Sequence, residues 1–167
     1  PDDPYWVIDP LDGSYNFMRG IPLCAVSIAL CQGMTPLAGA VYDFVRDELV
    51  HTNETAGLYR NGERIDRAAL GGPSSLSTGI PAATRSNAEA AAKNAESLNA
   101  WGKVRMIGSA ALSLSWVAQG KLDGYKETGI RWWDVAGGLA LVRASGGNFT
   151  VANDDIWSPL EVSANGR

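Results

Sequence analysis

Two acidic segments hold the residues best suited to chemistry. The first is DPLDGS at positions 9–14, and the second is WDVAGG at positions 133–138. Each places carboxylates beside glycines at the predicted start of a helix. Carboxylates can bind a hard metal ion there, and the free backbone N–H groups of a helix start can bind an anion.

The first segment begins where an apolar run ends. Asp9 follows residues 5–8, which we interpret as a strand, so its side chain is expected at the carboxyl end of a strand, where open α/β sheets bind ligands. Asp12 comes three residues later. Gly13 and Ser14 then offer N–H groups and a hydroxyl at a helix start. One turn is therefore predicted to carry two carboxylates and an anion cradle.

Divalent cations would resolve the repulsion between such close carboxylates, and that between them and a phosphorylated substrate. Oxygen ligands favour Mg²⁺ or Mn²⁺. A pair of ions about 3.5–4 Å apart can clamp the attacking and leaving oxygens of a phosphoryl transfer. Asp134 is the natural third carboxylate beside Asp9 and Asp12.

Each segment also has a purely structural interpretation. Asp, Pro, Gly and Ser dominate ordinary turns for local reasons, so positions 9–14 also fit a turn followed by a helix cap. An acidic residue such as Asp134 is favoured in a first helical turn by the macrodipole. Both interpretations remain open for each segment, although the pair is more specific than either alone.

Composition narrows the class of protein. The chain has 167 residues, 46% of them hydrophobic, which is sufficient for one globular domain. Its net charge of −4 is unsuited to nucleic acid as a bulk partner. No apolar stretch reaches the roughly 18–20 residues of a membrane span, and no basic signal-peptide start is present. We therefore predict a cytoplasmic protein without a membrane partner. The start at Pro1 indicates a trimmed chain.

Few residues suit a soft-metal site. One histidine, His51, and two distant cysteines, Cys24 and Cys31, cannot form a four-ligand zinc site. The cysteines lie seven apart in a predicted strand, so they are expected as buried thiols on opposite faces without a mutual disulfide.

The predicted elements mix strands and helices. Apolar or alternating runs predict strands at 5–8, 23–31, 36–42, 47–52, 76–80 and 123–127, and Asn61-Gly62 predicts a tight hairpin turn between 58 and 65. Helices are predicted at 86–101 with Ser86 and Glu89 as a capping box, at 109–119 before Gly120, and at 133–145. This order favours an α+β or layered αβα fold.

Longer motifs carry a resemblance. WVIDPLDGSYNF at positions 6–17 resembles the first signature of the inositol monophosphatase family, and WDVAGG at 133–138 resembles its second. Between them, Gly108-Ser109-Ala110 and Glu127 stand where that family places substrate contacts. The similarity runs through nearly the whole chain, and two long motifs in the right order make chance agreement improbable.

This resemblance implies a lithium-sensitive, Mg²⁺-dependent phosphomonoesterase, with Mn²⁺ as an alternative ion, that hydrolyses inositol monophosphate or a similar sugar phosphate. Its fold would be the layered αβαβα fold of inositol monophosphatases and fructose bisphosphatases. By the same resemblance, Asp9 would bridge two metals and the Leu11 carbonyl would bind the first. Asp12 and Asp134 would bind the second.

The remaining implied roles concern water and substrate. Ser14 would orient the attacking water, and the N–H groups of Gly13 and Ser14 would hold phosphate. Contacts to the hydroxyl-bearing part of the substrate are implied for Gly108, Ser109, Ala110 and Glu127. Members of the family often form homodimers, and the sequence adds no sign of an interface.

The substrate is less defined than the reaction. Tyr15-Asn16-Phe17 resembles the inositol phosphatase version of the signature rather than the Lys-Glu-Phe version of bisphosphate nucleotidases. Ser14 to Phe17 followed by Gly20-Ile21-Pro22 also resembles archaeal-type enzymes that accept fructose 1,6-bisphosphate. Histidinol phosphatases share both signatures and are a further alternative.

One family feature has no counterpart in the chain. The family supplies a metal-ligating glutamate from a Gly-Glu-Glu segment upstream of the first signature, and Asp2 and Asp3 lie too close to the first strand to replace it. We therefore expect residues 1–167 to be one partial domain, a fragment truncated at both ends, that is weakly active or inactive while the intact protein is a phosphatase. The alternative from another class is a non-catalytic binding or assembly module.

Several other residues receive no role in the predicted site. Trp132 and Trp133 are expected in the core, and His51 has no suggested carboxylate partner. Arg19 and Arg85 are isolated arginines that we expect to be solvated.

Overall fold

Two β-sheets enclose a pair of helices. The structure is a computed structural model that describes residues 3–52, 57–68, 72, 74–79 and 87–166. Its elements are β1 Tyr5–Asp12, α1 Ser14–Met18, β2 Ala25–Gln32, β3 Thr35–Asp43, β4 Glu48–Thr52, β5 Leu58–Arg60, β6 Glu63–Arg64, β7 Ser75–Thr78, α2 Ala88–Leu98, β8 Lys103–Arg105, α3 Ala110–Gln119, β9 Gly124–Ile130, α4 Trp132–Ala144, β10 Asn148–Ala152 and β11 Leu160–Asn165.

The first sheet is antiparallel throughout and follows the chain in the order β1-β2-β3-β4-β5-β6. Its inner face alternates with its outer face, as β2 shows most clearly. Ala25, Ser27, Ala29 and Cys31 are buried, whereas the alternate residues Val26, Ile28 and Leu30 are half-buried. This period of two directs every second side chain towards the helices. Small residues on the inner face allow those helices to approach closely.

The second sheet has the order β10-β11-β9-β7-β8 and is mixed. β7 runs parallel to both β8 and β9, whereas β9, β11 and β10 are antiparallel neighbours. Tyr125 on the central strand β9 and Val162 on its neighbour β11 are fully buried on the inner face of this sheet. This sheet supplies one wall of the cavity described below.

The helices α3 and α4 pack on each other and contact both sheets. Both are apolar or small nearly all round, as expected for helices between layers. Ser109 caps α3 at its N-terminus, where its side chain accepts from Leu112 N–H, and Gly120 ends it with a left-handed φ of 78°. These two helices start at the predicted site residues.

α4 approaches the first sheet closely at two glycines. A Cβ on Gly39 of β3 would lie 2.6 Å from the Gly137 carbonyl oxygen and 2.7 Å from Ala140 Cβ. A Cβ on Gly137 would overlap Ser27 Oγ. Glycine at both positions therefore sets the distance between α4 and the sheet, and with it the position of Asp134 relative to β1.

Most predicted elements are confirmed. The strands of the first half, the hairpin and the two inner helices are present within a few residues of their predicted ends. Asn61 and Gly62 both have positive φ in the hairpin turn, as expected. Both cysteines are buried and free. Among the described helices, none has the length and hydrophobicity needed to cross a bilayer.

Other expectations need correction. Asp9 does not end its strand, because β1 continues to Asp12, and this strand lies in an antiparallel sheet. The cap of α2 is Asn87, whose side chain accepts from two backbone N–H groups, and the predicted cap Ser86 lies outside the described residues. The strands β8, β10 and β11 were not predicted. Trp132 is buried as expected, but Trp133 is 36% exposed.

Replacing Gly39 tests the close helix–sheet contact. We expect Gly39→Ala to lower the free energy of unfolding by about 2 kcal/mol, because the added methyl group would push against the Gly137 carbonyl and Ala140. Urea unfolding measures the change. The control is Gly20→Ala, which meets no atom within 4 Å and should cost about 1 kcal/mol for its left-handed φ alone. Equal effects of the two substitutions would contradict the packing interpretation.

Candidate active site

The two acidic segments meet in space. Asp9, Asp12 and Asp134 each place a carboxylate oxygen within 4.8 Å of those of the other two. Asp9 and Asp12 belong to β1 and are 8% exposed, whereas Asp134 is half-buried in the first turn of α4. The sequence prediction that these three residues share one site agrees with this geometry.

An irregularity in β1 puts both of its aspartates on the buried side. Asp9 pairs with Ser27 and Asp12 pairs with Ala25, so three residue steps on β1 oppose two on β2. Strict alternation would send residues three apart to opposite faces, but a bulge resets the alternation. Within it, the Leu11 N–H donates to Asp9 Oδ1 at 3.0 Å. The bulge, rather than the end of a strand, therefore brings both Asp9 and Asp12 to the buried side of β1.

Asp12 is fixed by the start of α3. Its Oδ2 accepts hydrogen bonds from the Ser109 hydroxyl and from the Ala111 N–H, the latter at 2.8 Å. Free N–H groups at a helix start carry partial positive charge, which favours a carboxylate there. One oxygen of Asp12 is thereby oriented by the helix, so the direction of the other is fixed as well.

Asp134 is fixed by its own helix. It is the third residue of α4, and its Oδ2 accepts from the backbone N–H of the N-cap residue Arg131 at 3.0 Å, which is the acidic half of a capping box. Asp134 is therefore an acidic residue in a first helical turn, as its structural interpretation expects, and it also belongs to the acidic cluster.

Burial and mutual repulsion make the ionised cluster costly. Burial, followed by the charge of Asp9, raises the pKa of Asp12 to about 6, although hydrogen bonds from Ser109 and Ala111 oppose this rise. Burial also raises the pKa of Asp134 to about 7, and the charges of Asp12 and Asp9 add to the rise. These carboxylates therefore hold protons more readily than ordinary aspartates.

No cation of the protein neutralises this cluster within the described ranges. The ion pairs found there are Arg46–Asp43, Lys93–Glu89 and Lys121–Glu48, and none includes a cluster aspartate. Three carboxylates without a basic partner are an oxygen donor set that suits a hard divalent cation. The residues present therefore fit the expected Mg²⁺ or Mn²⁺.

A cavity of about 540 Å³ opens beside the cluster. It is lined by Asp12 and Asp134 at one place and by residues of α1, β7, β9 and α3 elsewhere. Four predicted substrate contacts lie in its wall, namely Gly108, Ser109, Ala110 and Glu127. Asp9, Leu11, Gly13 and Ser14 do not line it. The volume fits a small ligand of the size of a sugar phosphate.

Gly13 and Ser14 lie at the start of α1, as predicted, although this helix has only five residues. Gly13 has a left-handed φ of 78°, and a Cβ there would lie 2.7 Å from the Leu23 carbonyl oxygen and 3.3 Å from that of Gly108. The first segment thus touches the loop before α3. Ser14 is exposed, and its predicted role in orienting water stays a prediction.

Ser109 has a use that the sequence did not reveal. Its side chain is 3% exposed, donates to Asp12 and accepts from Leu112 N–H. A hydroxyl with both partners inside the protein has little capacity left for a substrate. Its predicted substrate contact remains untested, while its hydrogen bonds show a hold on Asp12.

Sequence reasoning missed several cavity residues. Asn16 donates both amide hydrogens to backbone carbonyls, those of Leu23 at 2.8 Å and Ile107 at 2.9 Å, and so ties α1 to the loop before α3. Its place inside the first motif was the available signal. Ser77 and Ser113, whose buried hydroxyls are 2.8 Å apart, carried no recognisable pattern.

The raised pKa values predict a pH-dependent stability in the presence of a metal chelator. Between the ordinary value of 3.8 and the folded values of about 6 and about 7, the folded chain binds more protons than the unfolded chain. The stability that Asp12 and Asp134 contribute is therefore complete below the ordinary value and is lost as the pH rises through the folded values. Asp12→Asn should remove about 2 kcal/mol of this fall, measured by urea unfolding between about pH 4 and pH 8.

Asp155→Asn is the control for that measurement. Asp155 is exposed, and the hydrogen bonds from Ser158 and Trp157 lower its pKa, so its removal must leave the fall in place. The described electrostatics would be contradicted if the difference in free energy of unfolding between the wild-type chain and the Asp12→Asn variant were the same at every pH.

Known proteins resemble this chain along most of its length. The Nus factor SuhB of Xylella fastidiosa is 43% identical over 146 residues, with 85% of this chain and 53% of that protein covered. The fructose-1,6-bisphosphatase/inositol-1-monophosphatase of Thermococcus kodakarensis is 37% identical over 158 residues, with 93% of this chain and 57% of that protein covered. The chain therefore spans little more than half the length of these curated relatives.

Structure and sequence give the same relationship. The inositol monophosphatase of Anabaena (Nostoc) sp. PCC 7120 matches with a TM-score of 0.84 and 34% identity, and 98% of this chain and 69% of that structure are covered. The predicted layered fold is therefore confirmed. The sequence model described as the inositol monophosphatase family matches residues 1–165. The chain belongs to the inositol monophosphatase family.

Proposed function

We propose that this chain carries the second-metal half of the active site of a phosphomonoesterase that hydrolyses inositol monophosphate or a similar sugar phosphate. The observation that supports it is the meeting of Asp9, Asp12 and Asp134 within 4.8 Å beside a polar cavity. In a phosphatase, carboxylates in this arrangement would serve the reaction at phosphorus through the metal ions that they bind.

Asp9, Asp12 and Asp134 would hold the Mg²⁺ or Mn²⁺ ions, with the Leu11 carbonyl as a further ligand of the first. The ions would neutralise the phosphate and supply an activated water. The hydrogen bonds to Asp12 and Asp134 from α3 and Arg131 keep these ligands in place, because oriented ligands bind a metal more tightly.

The other residues of the chain would bind and orient the substrate. We assign phosphate binding to the N–H groups of Gly13 and Ser14 and the orientation of water to the Ser14 hydroxyl. Gly108 and Ala110 lie in the cavity wall where α3 begins, and Glu127 lies in the wall formed by β9. Glu127 can accept a hydrogen bond from a substrate hydroxyl, which suits a polyol phosphate.

Inositol monophosphate is the first candidate because of the Tyr15-Asn16-Phe17 sequence of the first motif. Fructose 1,6-bisphosphate is the second, and the name of the Thermococcus relative, which covers both activities, supports treating the two together. Histidinol phosphate is a third. The cytoplasmic location stays a prediction from the sequence, and the homodimer stays one from the family resemblance.

A function of another class has one supporting observation. The Xylella relative is named a Nus factor rather than a phosphatase, so an assembly role without catalysis is the alternative for this chain. The two functions make different demands on the acidic cluster. A phosphatase needs its carboxylates, whereas an assembly module has no use for them.

Phosphate release from inositol 1-phosphate in the presence of Mg²⁺ tests the proposal. The full-length product of the gene should release phosphate, and the 167-residue chain should release it at least about tenfold more slowly, because the family's upstream glutamate would be lacking. Asp12→Asn in the full-length protein should lower kcat at least about a hundredfold, since it removes a metal ligand. Fructose 1,6-bisphosphate and histidinol phosphate are measured in parallel.

The matched control is Asp123→Asn. Asp123 accepts a hydrogen bond from Ser75 N–H and is not part of the acidic cluster, so its replacement should leave kcat within about twofold. A full-length protein that releases no phosphate from any of the three substrates would exclude the phosphatase and favour the assembly role. Equal rates for the full-length protein and the 167-residue chain would sink the expectation that an upstream residue is needed.

A further inference from the structure

One wall of the cavity is built from two neighbouring strands that run in parallel. On β9, Tyr125 and Glu127 are two residues apart and therefore share a face. Ser77 on β7 pairs with Tyr125, and Gly79 follows two residues later. The parallel register therefore brings Gly79 beside Glu127. Ser77, Gly79 and Glu127 all line the cavity.

The Glu127 carboxylate has a hydrogen-bond donor on one side and a glycine on the other. The Tyr125 hydroxyl donates to Glu127 Oε2 at 2.8 Å, and Tyr125 itself is 1% exposed. On the other side, a Cβ on Gly79 would overlap Glu127 Oε1 and would lie 2.9 Å from Oε2. The carboxylate therefore occupies the space that any side chain at position 79 would fill.

Gly79 is not needed for its backbone. It is absent from the glycines with positive φ, so alanine is compatible with its conformation. A side chain at this position would collide first with Glu127, since the three atoms nearest to a Cβ there all belong to that carboxylate. A methyl group at this position is thus a specific means of displacing Glu127.

We propose that Tyr125 and Gly79 are positioning residues that hold the Glu127 carboxylate as the acceptor for a substrate hydroxyl, and that they thereby set the preference for hydroxyl-rich phosphate esters. This inference rests on the proposed phosphatase function. It assigns to a buried tyrosine and a glycine a part in specificity that neither residue type suggests.

The physical reason is pre-organisation. A carboxylate accepts through two oxygens, so a single donor from Tyr125 leaves acceptor capacity for a ligand. Hydrogen bonds to a charged acceptor are about twice as strong as neutral ones, but they need a fixed geometry. A carboxylate that is already oriented loses little freedom when the substrate binds. Loss of the Tyr125 hydrogen bond, or of the space that Gly79 leaves, should weaken the binding of the hydroxyl-bearing part of the substrate. Neither change would remove the acidic cluster that serves the phosphate.

Two substrates separate this role from a general structural one. Inositol 1-phosphate carries hydroxyls, whereas 4-nitrophenyl phosphate carries none on its leaving group. In the full-length protein with Mg²⁺, Tyr125→Phe should raise KM for inositol 1-phosphate about fivefold with a smaller change in kcat. The ratio of kcat/KM for inositol 1-phosphate to that for 4-nitrophenyl phosphate should fall about fivefold. Gly79→Ala should shift the same ratio in the same direction, and so should Glu127→Gln.

Tyr42→Phe is the matched control, because the Tyr42 hydroxyl also donates to a carboxylate, that of Asp47 at 2.8 Å, but on the exposed surface. It should leave the ratio unchanged. A ratio unaltered by both Tyr125→Phe and Gly79→Ala would overturn the inference, and so would an equal loss with both substrates. An unaltered protein that hydrolyses neither these two esters nor fructose 1,6-bisphosphate nor histidinol phosphate would instead refute the proposed function, and the inference with it.

Discussion

The mutual repulsion of three carboxylates is the constraint on which the rest of the structure depends. Asp9, Asp12 and Asp134 lie within 4.8 Å of one another, and two of them are almost fully buried. Burial and like charge raise the pKa values of Asp12 and Asp134, so the protein alone stabilises their ionised forms poorly. Three carboxylates in one place are a donor set that suits a hard divalent cation.

The surrounding fold supplies the rigidity that such a cluster needs. A bulge in β1 turns two aspartates inward, the start of α3 holds Asp12, and the Arg131 N–H holds Asp134. The contact between Gly39 and Gly137 fixes α4 against the sheet that carries β1. Each contact fixes backbone or side chain near the cluster, which limits how far the carboxylates can move apart.

A glycine also shapes the substrate side of the cavity. Gly79 leaves space for the Glu127 carboxylate, and the buried Tyr125 orients it through a hydrogen bond. Asn16 connects the first motif with the loop before α3 by two hydrogen bonds to backbone carbonyls. The metal side and the hydroxyl side of the cavity are therefore held by different residues, so the two can be altered separately.

The sequence could predict the acidic residues because their types and spacing repeat a known pair of motifs. It could also predict α3 and α4, since their apolar residues extend nearly all round. The bulge between Asp9 and Asp12 could not be predicted, because a proline and a glycine near an aspartate favour an ordinary turn equally well. The role of Gly79 depends on the parallel register of β7 and β9, which brings together residues that are far apart along the chain.

Short or polar strands could not be predicted from the sequence either. The residues of β8 are all exposed, and those of β10 alternate between exposed and half-buried, so neither presents an apolar run. Their pairing with neighbours in the sheet is what makes them strands. Local pattern carries little information in such cases.

A calorimetric titration of the chain with Mg²⁺ tests most directly that the two acidic segments form one metal site. The chain should bind Mg²⁺ in a saturable manner, and Asp134→Asn should weaken the binding at least about tenfold, because it removes the one carboxylate contributed by the second segment. Asp155→Asn, an exposed carboxylate outside the cluster, should leave the binding unchanged. Equal Mg²⁺ binding by the wild-type chain and the Asp134→Asn variant would contradict the account.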